Sequence, residues 1–328
     1  MRVGRYIVYG AGGIGASLGA ELHRAGRPTV LIGRGAQLAA LREKGLEYVT
    51  PGGRERLELP VVGHPDELEF RAGDAVLLAM KTQDSLPAIE ALAAAAGPEL
   101  PVLCAQNGVE NERFAQRRFR NVIGLAVWIP ASFIDPGVVE NYGSKAPIEL
   151  GRFPSGVDPL TRAVTEDHCR AGFAAEARED VMAWKYAKLL TNGVASLEAI
   201  CGGREGLEDL AAAIKREGMA CYRAAGIATV PASEYDERVA FAVAAMGPID
   251  GQDRRGGSSA QSLARGLGSI ETDYINGEIV MLGRAFGVAT PVNEAIQRTA
   301  NELANRRQTR ALSGAELRAR IEEVSRAS

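Results

Sequence analysis

Residues 5–26 read RYIVYGAGGIGASLGAELHRAG, and the parsing of this run decides the fold. Residues 6–9 form a short β-prone run. Gly10, Ala11, Gly12, Gly13, Ile14 and Gly15 follow, and an Ala/Leu-rich helical stretch continues to about Ala25, with Gly26 placed as its C-cap. Gly10, Gly12 and Gly15 match G-x-G-x-x-G between a strand and a helix. In that context Gly10 permits the tight turn, Gly12 lets a pyrophosphate approach the backbone, and Gly15 allows close helix–strand packing. The diphosphate would rest on the positive N-terminus of the helix. A Gly-rich turn in an unliganded α/β domain has the same letters; the strand before it and the helix after it favour dinucleotide binding.

Working outward, Thr29–Ile32, residues 75–80, residues 102–105 and Val122–Val127 are apolar runs without alternation, separated by helical segments. Strands buried on both faces look like this, so the expected class is α/β, a Rossmann-type doubly wound parallel sheet. From about Trp128 to Phe153 the texture changes: Asp135-Pro136-Gly137 sits between β-prone segments, which predicts a hairpin or two appended to the sheet. Beyond Asp180 the strand signal nearly vanishes, and residues 184–199, 207–224, 235–245 and 271–286 read as helices. The expected domains are therefore 1–180, dinucleotide-binding, and 181–328, all-helical and serving substrate and dimerisation. A homodimer is the default symmetric assembly, although no residue demands one.

With 328 residues, 46% of them hydrophobic, the chain has ample core for two domains. A net charge of −3 gives no electrostatic reason to expect nucleic acid or an acidic membrane as partner. No apolar run approaches a membrane span, and the N-terminus runs straight into a strand without a signal-type core. Cys104, Cys169, Cys201 and Cys221 are scattered, with no C-x-x-C, so neither a zinc set nor a disulfide framework is expected. The expected compartment is the cytoplasm.

Cofactor type is decided at the end of the second strand, where an acid would grip the 2′-hydroxyl of NAD. Here that strand ends in Gly33-Arg34 with no Asp or Glu beside it. Arginine presents a planar fork of donors suited to a 2′-phosphate, so NADP(H) is expected; the alternative is a plain surface charge. Two other strands end in Lys81-Thr82-Gln83 and Gln106-Asn107-Gly108, at the carboxyl edge where such sheets bind ligands. Lys81 and Asn107 are thus candidates for the nicotinamide side, with ordinary turn chemistry as the other reading.

Together these features resemble the ketopantoate reductases (2-dehydropantoate 2-reductases). The resemblance covers nearly the whole chain through "GAGGIG", "MKTQD", "QNGVEN", "KLLTN", "SIETDYINGEIV" and "GVATPVN", in the family's order. It implies NADPH-dependent reduction of 2-dehydropantoate to pantoate, on the way to pantothenate and coenzyme A. It further implies Lys188 as general acid and Glu271 as the residue that binds the substrate hydroxyl and helps hold the lysine. Asn192, Ser196 and Ser259, with Asn107, would be substrate-binding positions. Lys81 and Asn107 would line the nicotinamide, and Arg34 the 2′-phosphate.

Chemistry supports a lysine acid independently: hydride arriving at a ketone carbon leaves negative charge on oxygen, and a donor must be waiting there. The chain has only His23, His64 and His168 as histidine donors, of which only His168 is near the domain junction. Lys185 and Lys188 share the stretch "AWKYAKLLTN", and helical angle alone excludes neither. The resemblance selects Lys188, which leaves Lys185 as an expected surface charge. Ser259 and Glu271 can reach one substrate only if the chain bends between them, where Gly266 and Gly268 fall. The chain departs from the family at Ser196 and Gly256, where asparagines are common, and in Ala260-Gln261-Ser262-Leu263, where the usual segment is "MLQD". Another 2-oxo acid or ketone is therefore an open alternative. So is a non-catalytic NADP(H)-binding redox sensor, which would need no Lys188, Asn192 and Glu271 together.

Overall fold

The computed structural model describes residues 2–327 except Ile134, Ser144, Arg255, Leu267 and Thr309. The chain forms two compact units: Met1–Lys185 with Pro231–Arg254, and Tyr186–Val230 with Arg255–Ser328. A single cut after residue 180 is simpler than this division. The chain leaves the first unit at Lys185, and residues 231–254 return to it. The helix around residues 235–245 thereby belongs with the sheet rather than with the other helices.

The first unit begins β1 (Arg5–Tyr9), α1 (Gly13–Arg24), β2 (Thr29–Ile32), α2 (Gly35–Lys44), β3 (Leu46–Thr50), β4 (Gly53–Leu57) and β5 (Val61–Val62). It continues β6 (Asp74–Leu78), α3 (Ser85–Ala95), β7 (Val102–Cys104), α4 (Asn111–Gln116) and β8 (Val122–Val127). Then come β9 (Ala131–Ser132), β10 (Val138–Asn141), β11 (Pro147–Arg152), α5 (Pro159–Arg170), β12 (Ala174–Ala177) and the start of α6 (Val181–Cys201). Eight strands make one sheet in the order β12-β11-β8-β7-β6-β1-β2-β5. All its pairs are parallel except β8 with β11. The apolar runs are strands for the reason their composition suggests. Ile7, Val8, Val76, Leu77, Val102 and Leu103 have helices over both faces and are fully buried.

The appended β-structure is richer than its Pro-Gly signal. β9 and β10 form the expected antiparallel pair, but β10 also runs parallel to β3, which pairs antiparallel with β4. The result is a second, four-stranded sheet, β4-β3-β10-β9. The β3–β4 hairpin was not expected from sequence: residues 53–56 are exposed, so that strand has no hydrophobic alternation to read.

The second unit holds the rest of α6, then α7 (Glu208–Ala225), α9 (Ser258–Ala264), a 3₁₀ turn (Glu271–Tyr274), α10 (Asn276–Phe286), α11 (Pro291–Asn305) and α12 (Gly314–Ala327). The intervening helix α8 (Ala232–Ala244) belongs to the first unit. Leu197, Ile200, Ile214, Ile296, Ala300 and Leu317 close the helical core. Full burial of a Leu or Ile side chain is worth about 1.5–3 kcal/mol. Among the described residues, no helix is long and apolar enough to cross a membrane.

Candidate active site

The parallel strand order sets out the cofactor candidates. β7, β6, β1 and β2 are consecutive neighbours, so Asn107, Lys81, Gly10 and Arg34 follow the carboxyl ends of four adjacent strands. From the first to the last is three inter-strand steps, roughly 14 Å. In the middle, Gly10 has φ +107°, and a Cβ there would lie 2.5 Å from the Met80 backbone nitrogen. At Gly15 a Cβ would lie 2.1 Å from the Gly10 carbonyl oxygen, whereas at Gly12 it would meet nothing within 4 Å. Two glycines are thus spent on close packing and the third faces open space, the distribution that a diphosphate cradle requires. Gly12 caps α1 with no side-chain hydrogen bond, and no acid lies in the helix's first turn. That leaves the positive helix end available to an anion. These residues fit a dinucleotide.

Arg34 follows β2 as the N-cap of α2. Its guanidinium is 81% exposed and forms an ion pair with Asp84 at 2.8 Å. A pair this exposed is worth about 0–1 kcal/mol and does not bar a phosphate. Lys81 and Asn107 are half-buried, and the loops carrying them are tied together from behind. Fully buried Asn111 donates through Nδ2 to Thr82 Oγ1 at 3.0 Å, and Gln106 Nε2 donates to Ser85 Oγ at 3.2 Å. Asn111 closes the "QNGVEN" stretch, and its side chain locks the Lys81 loop.

Behind these loops the structure corrects one expectation. Lys185 is not a surface charge: its side chain is 1% exposed and forms an ion pair with Glu112, which is 0% exposed. Glu112 stands on α4, beside Cys104 and Gly124. Burial pushes the Glu112 carboxyl up from its ordinary value, and Lys185 draws it part of the way back. The Cys104 thiol, wholly buried and near Glu112, is pushed well above its usual range. His168 is also a core residue. It is fully buried, bonded through Nδ1 to the Val164 carbonyl at 2.8 Å, and ringed by Tyr6 and Phe173. Burial lowers its pKa.

The remaining candidates lie in the helical unit. Lys188 is buried on α6, 8% exposed. One turn later Asn192 is half-buried, and its Nδ2 is sealed from solvent with no acceptor among the described residues. A buried donor left open in this way is what a bound oxygen would satisfy. Ser196, one turn further on, is fully buried and donates back to the Asn192 carbonyl at 3.3 Å. Glu271 is 7% exposed and opens the 3₁₀ turn, while Asp273 faces solvent and accepts from Gln297 and Asn301. The bend expected between Ser259 and Glu271 is present: α9 stops at Ala264, and Gly266 and Gly268 take φ of +57° and +76°. Gly256 is likewise left-handed at φ +63°, a conformation that asparagine also tolerates. The exchange keeps the backbone and removes an amide.

Sequence reasoning missed the frame of this region. Buried Asn276 donates to Asn293 Oδ1 at 3.0 Å and to the Gly193 carbonyl at 3.4 Å. Asn293 in turn donates to Glu217 Oε2 at 2.7 Å, and Glu217 accepts the Val292 and Asn293 backbone N–H groups. Burial pushes Glu217 up, and those donors pull it back. The network braces α7, α10 and α11 against α6 at the residue after Asn192, which brings the segment starting at Glu271 towards that turn. Asn276 and Asn293 are the asparagines of "YING" and "TPVN", so the signal was present but read only as resemblance. Among the described residues no His, Cys, Asp and Glu cluster could hold a metal ion.

Comparison with known proteins bears on the family and the fold. Residues 6–155 match the family model described as ketopantoate reductase PanE/ApbA, and residues 180–304 match its C-terminal counterpart. The 2-dehydropantoate 2-reductase of Archaeoglobus fulgidus is 30% identical over 90% of this chain and 96% of its own. That of Mesorhizobium japonicum is 29% identical over 90% and 97%. A PanE/ApbA family ketopantoate reductase structure from Ralstonia eutropha superposes with a TM-score of 0.78 at 26% identity, covering 93% of this chain and 99% of that one. D-mandelate dehydrogenase bound to NADH and anilino(oxo)acetate shares the fold, with a TM-score of 0.80 at 22% identity over 92% and 99%. The chain belongs to the ketopantoate reductase family, whose members are NADP(H)-dependent oxidoreductases acting on CH–OH groups.

Proposed function

We propose that the chain reduces the ketone of 2-dehydropantoate to the alcohol of pantoate, with Lys188 as general acid. The observation that carries this reading is a buried lysine one helical turn from Asn192, whose amide donor is sealed from solvent and lacks an acceptor among the described residues. Bound NADPH supplies the hydride to the carbonyl carbon. Gly10, Ala11, Gly12, Gly13, Ile14 and Gly15 hold the diphosphate, Arg34 the 2′-phosphate, and Lys81 and Asn107 the nicotinamide end. Lys188 Nζ then gives its proton to the developing alkoxide, in a setting dry enough to strengthen that interaction. Glu271 holds the lysine and the substrate hydroxyl, and Asn192 and Ser259 hold the remaining oxygens. The proposal includes a role in the route to pantothenate and coenzyme A and a reducing, cytoplasmic setting, which the free thiols suit.

The test follows NADPH absorbance with 2-dehydropantoate and with a panel of 2-oxo acids. Turnover of 2-dehydropantoate should fall by two to four orders of magnitude in K188A, with NADPH affinity kept. No oxidation with any acid would overturn the reductase reading. A second reading, another 2-oxo acid, is favoured by Ser196, whose hydroxyl is turned onto its own helix, and by the amide lost at Gly256. Oxidation with other acids but not with 2-dehydropantoate would decide for it.

A further inference from the structure

Among the described residues, Arg254 is a cation without a counter-charge. Most of its surface is buried, and its Nε is sealed from solvent with no acceptor. Among the described residues no carboxylate pairs with it, and its one hydrogen bond runs from Nη2 to the Ala131 carbonyl at 3.2 Å. Burial pulls the guanidinium below its usual value, and only the Tyr142 hydroxyl acts the other way. An arginine held in this state costs stability unless an anion completes it.

Its location is beside the glycine turn. Ala131 packs on the first turn of α1: a Cβ on Gly13 would lie 3.3 Å from the Ala131 Cβ and 3.7 Å from its carbonyl carbon. The peptide that anchors Arg254 therefore borders the glycine cradle. All of these residues belong to the first unit, because residues 231–254 return to it. We propose that Arg254 is a counter-charge for the diphosphate of bound NADP(H), carried to the cradle from about 240 residues downstream in the chain by that return. The inference rests on reading residues 10–15 as the cofactor cradle.

The experiment measures binding of NADPH, NADH and 2′-AMP to the purified full chain and to R254Q and R254K, by fluorescence or calorimetric titration without 2-oxo acid. Loss of a charge-assisted contact should weaken NADPH roughly 10- to 100-fold in R254Q. NADH should weaken by the same factor, since both share the diphosphate. 2′-AMP has no diphosphate and should keep its affinity, and R254K should recover part of the loss. Unchanged NADPH affinity in R254Q would overturn the proposal, even if the KM for the 2-oxo acid rose. So would equal weakening of NADPH and 2′-AMP. If R254Q does not fold, R254K decides: several-fold weaker NADPH with unchanged 2′-AMP supports the assignment, and no change overturns it. A wild-type chain that binds no NADPH would instead remove the cradle reading itself.

Discussion

Replacing Lys185 with methionine keeps helix propensity and approximate volume while removing the charge that faces Glu112. Among the described residues no other cation acts on that carboxyl, so in K185M it must either remain charged in a dry site or take up a proton. Protonation sets the ceiling on the cost. An unfolded glutamate titrates near 4.3, and each pH unit above that is worth about 1.36 kcal/mol, so holding the proton costs about 5 kcal/mol at pH 8 and about 1 kcal/mol at pH 5. Glu112 is raised by burial even with Lys185 present, and is raised further without it. A raised folded pKa contributes stability that is present below the unfolded value and is lost as pH climbs. Wherever the carboxyl is protonated in K185M and charged in wild type, the penalty should therefore grow with pH, by at most about 1.4 kcal/mol per unit. Urea unfolding followed by tryptophan fluorescence reads the relevant unit, since Trp128 and Trp184 both lie in it, 6.1 Å apart edge to face. The double variant E112Q/K185M removes both charges and should recover most of the loss. A K185M penalty below about 1 kcal/mol at pH 8, or one that does not change with pH, would refute the reasoning.

Arg34→Asp should reverse cofactor preference, lowering kcat/KM for NADPH relative to NADH by roughly 100-fold or more, as a charge-assisted contact becomes a repulsion. Asp84→Asn should tighten NADPH at most about fivefold, because the exposed pair it breaks is worth no more than about 1 kcal/mol; NADPH titration of both variants checks this. Gly15→Ala should destabilise the first unit by about 1–3 kcal/mol and cost more than tenfold in NADPH affinity, since its Cβ collides with the Gly10 carbonyl. Urea unfolding and NADPH titration measure the two effects separately.

The main sheet was legible because doubly covered strands are continuous apolar runs, and the glycine turn falls between a strand and a helix. Of Gly10, Gly12 and Gly15, only Gly12 has open space over its backbone, as the motif's spacing implies. The second sheet was less legible. Its edge strand β4 is Gly-Arg-Glu-Arg-Leu, with only Leu57 buried, so it announces itself neither by hydrophobicity nor by alternation. The return of residues 231–254 could not be read at all. A helix with only Tyr235 and Ala242 buried looks the same whether it covers a sheet or joins a bundle. What holds it is Arg238 on Glu149, a β11 carboxylate 89 residues away that also receives Arg178.

The two lysines of α6 show why the site was harder to read than the fold. On the helical projection they lie about 60° apart, so amphipathic reasoning assigns them the same side. Resemblance broke the tie by giving one a role and leaving the other to solvent. Both are buried, and they fall in different units. Lys185 meets the charge of Glu112, 73 residues earlier in sequence, within the sheet-bearing unit. Lys188 stands three residues on, in the helical unit, on the turn before Asn192. A burial pattern records that a charge is dry but not what neutralises it. A single sequence therefore cannot show which of two dry lysines is the one paired with Glu112. That pairing is the reason why loss of Lys185 should be read in stability, whereas loss of Lys188 should be read in turnover.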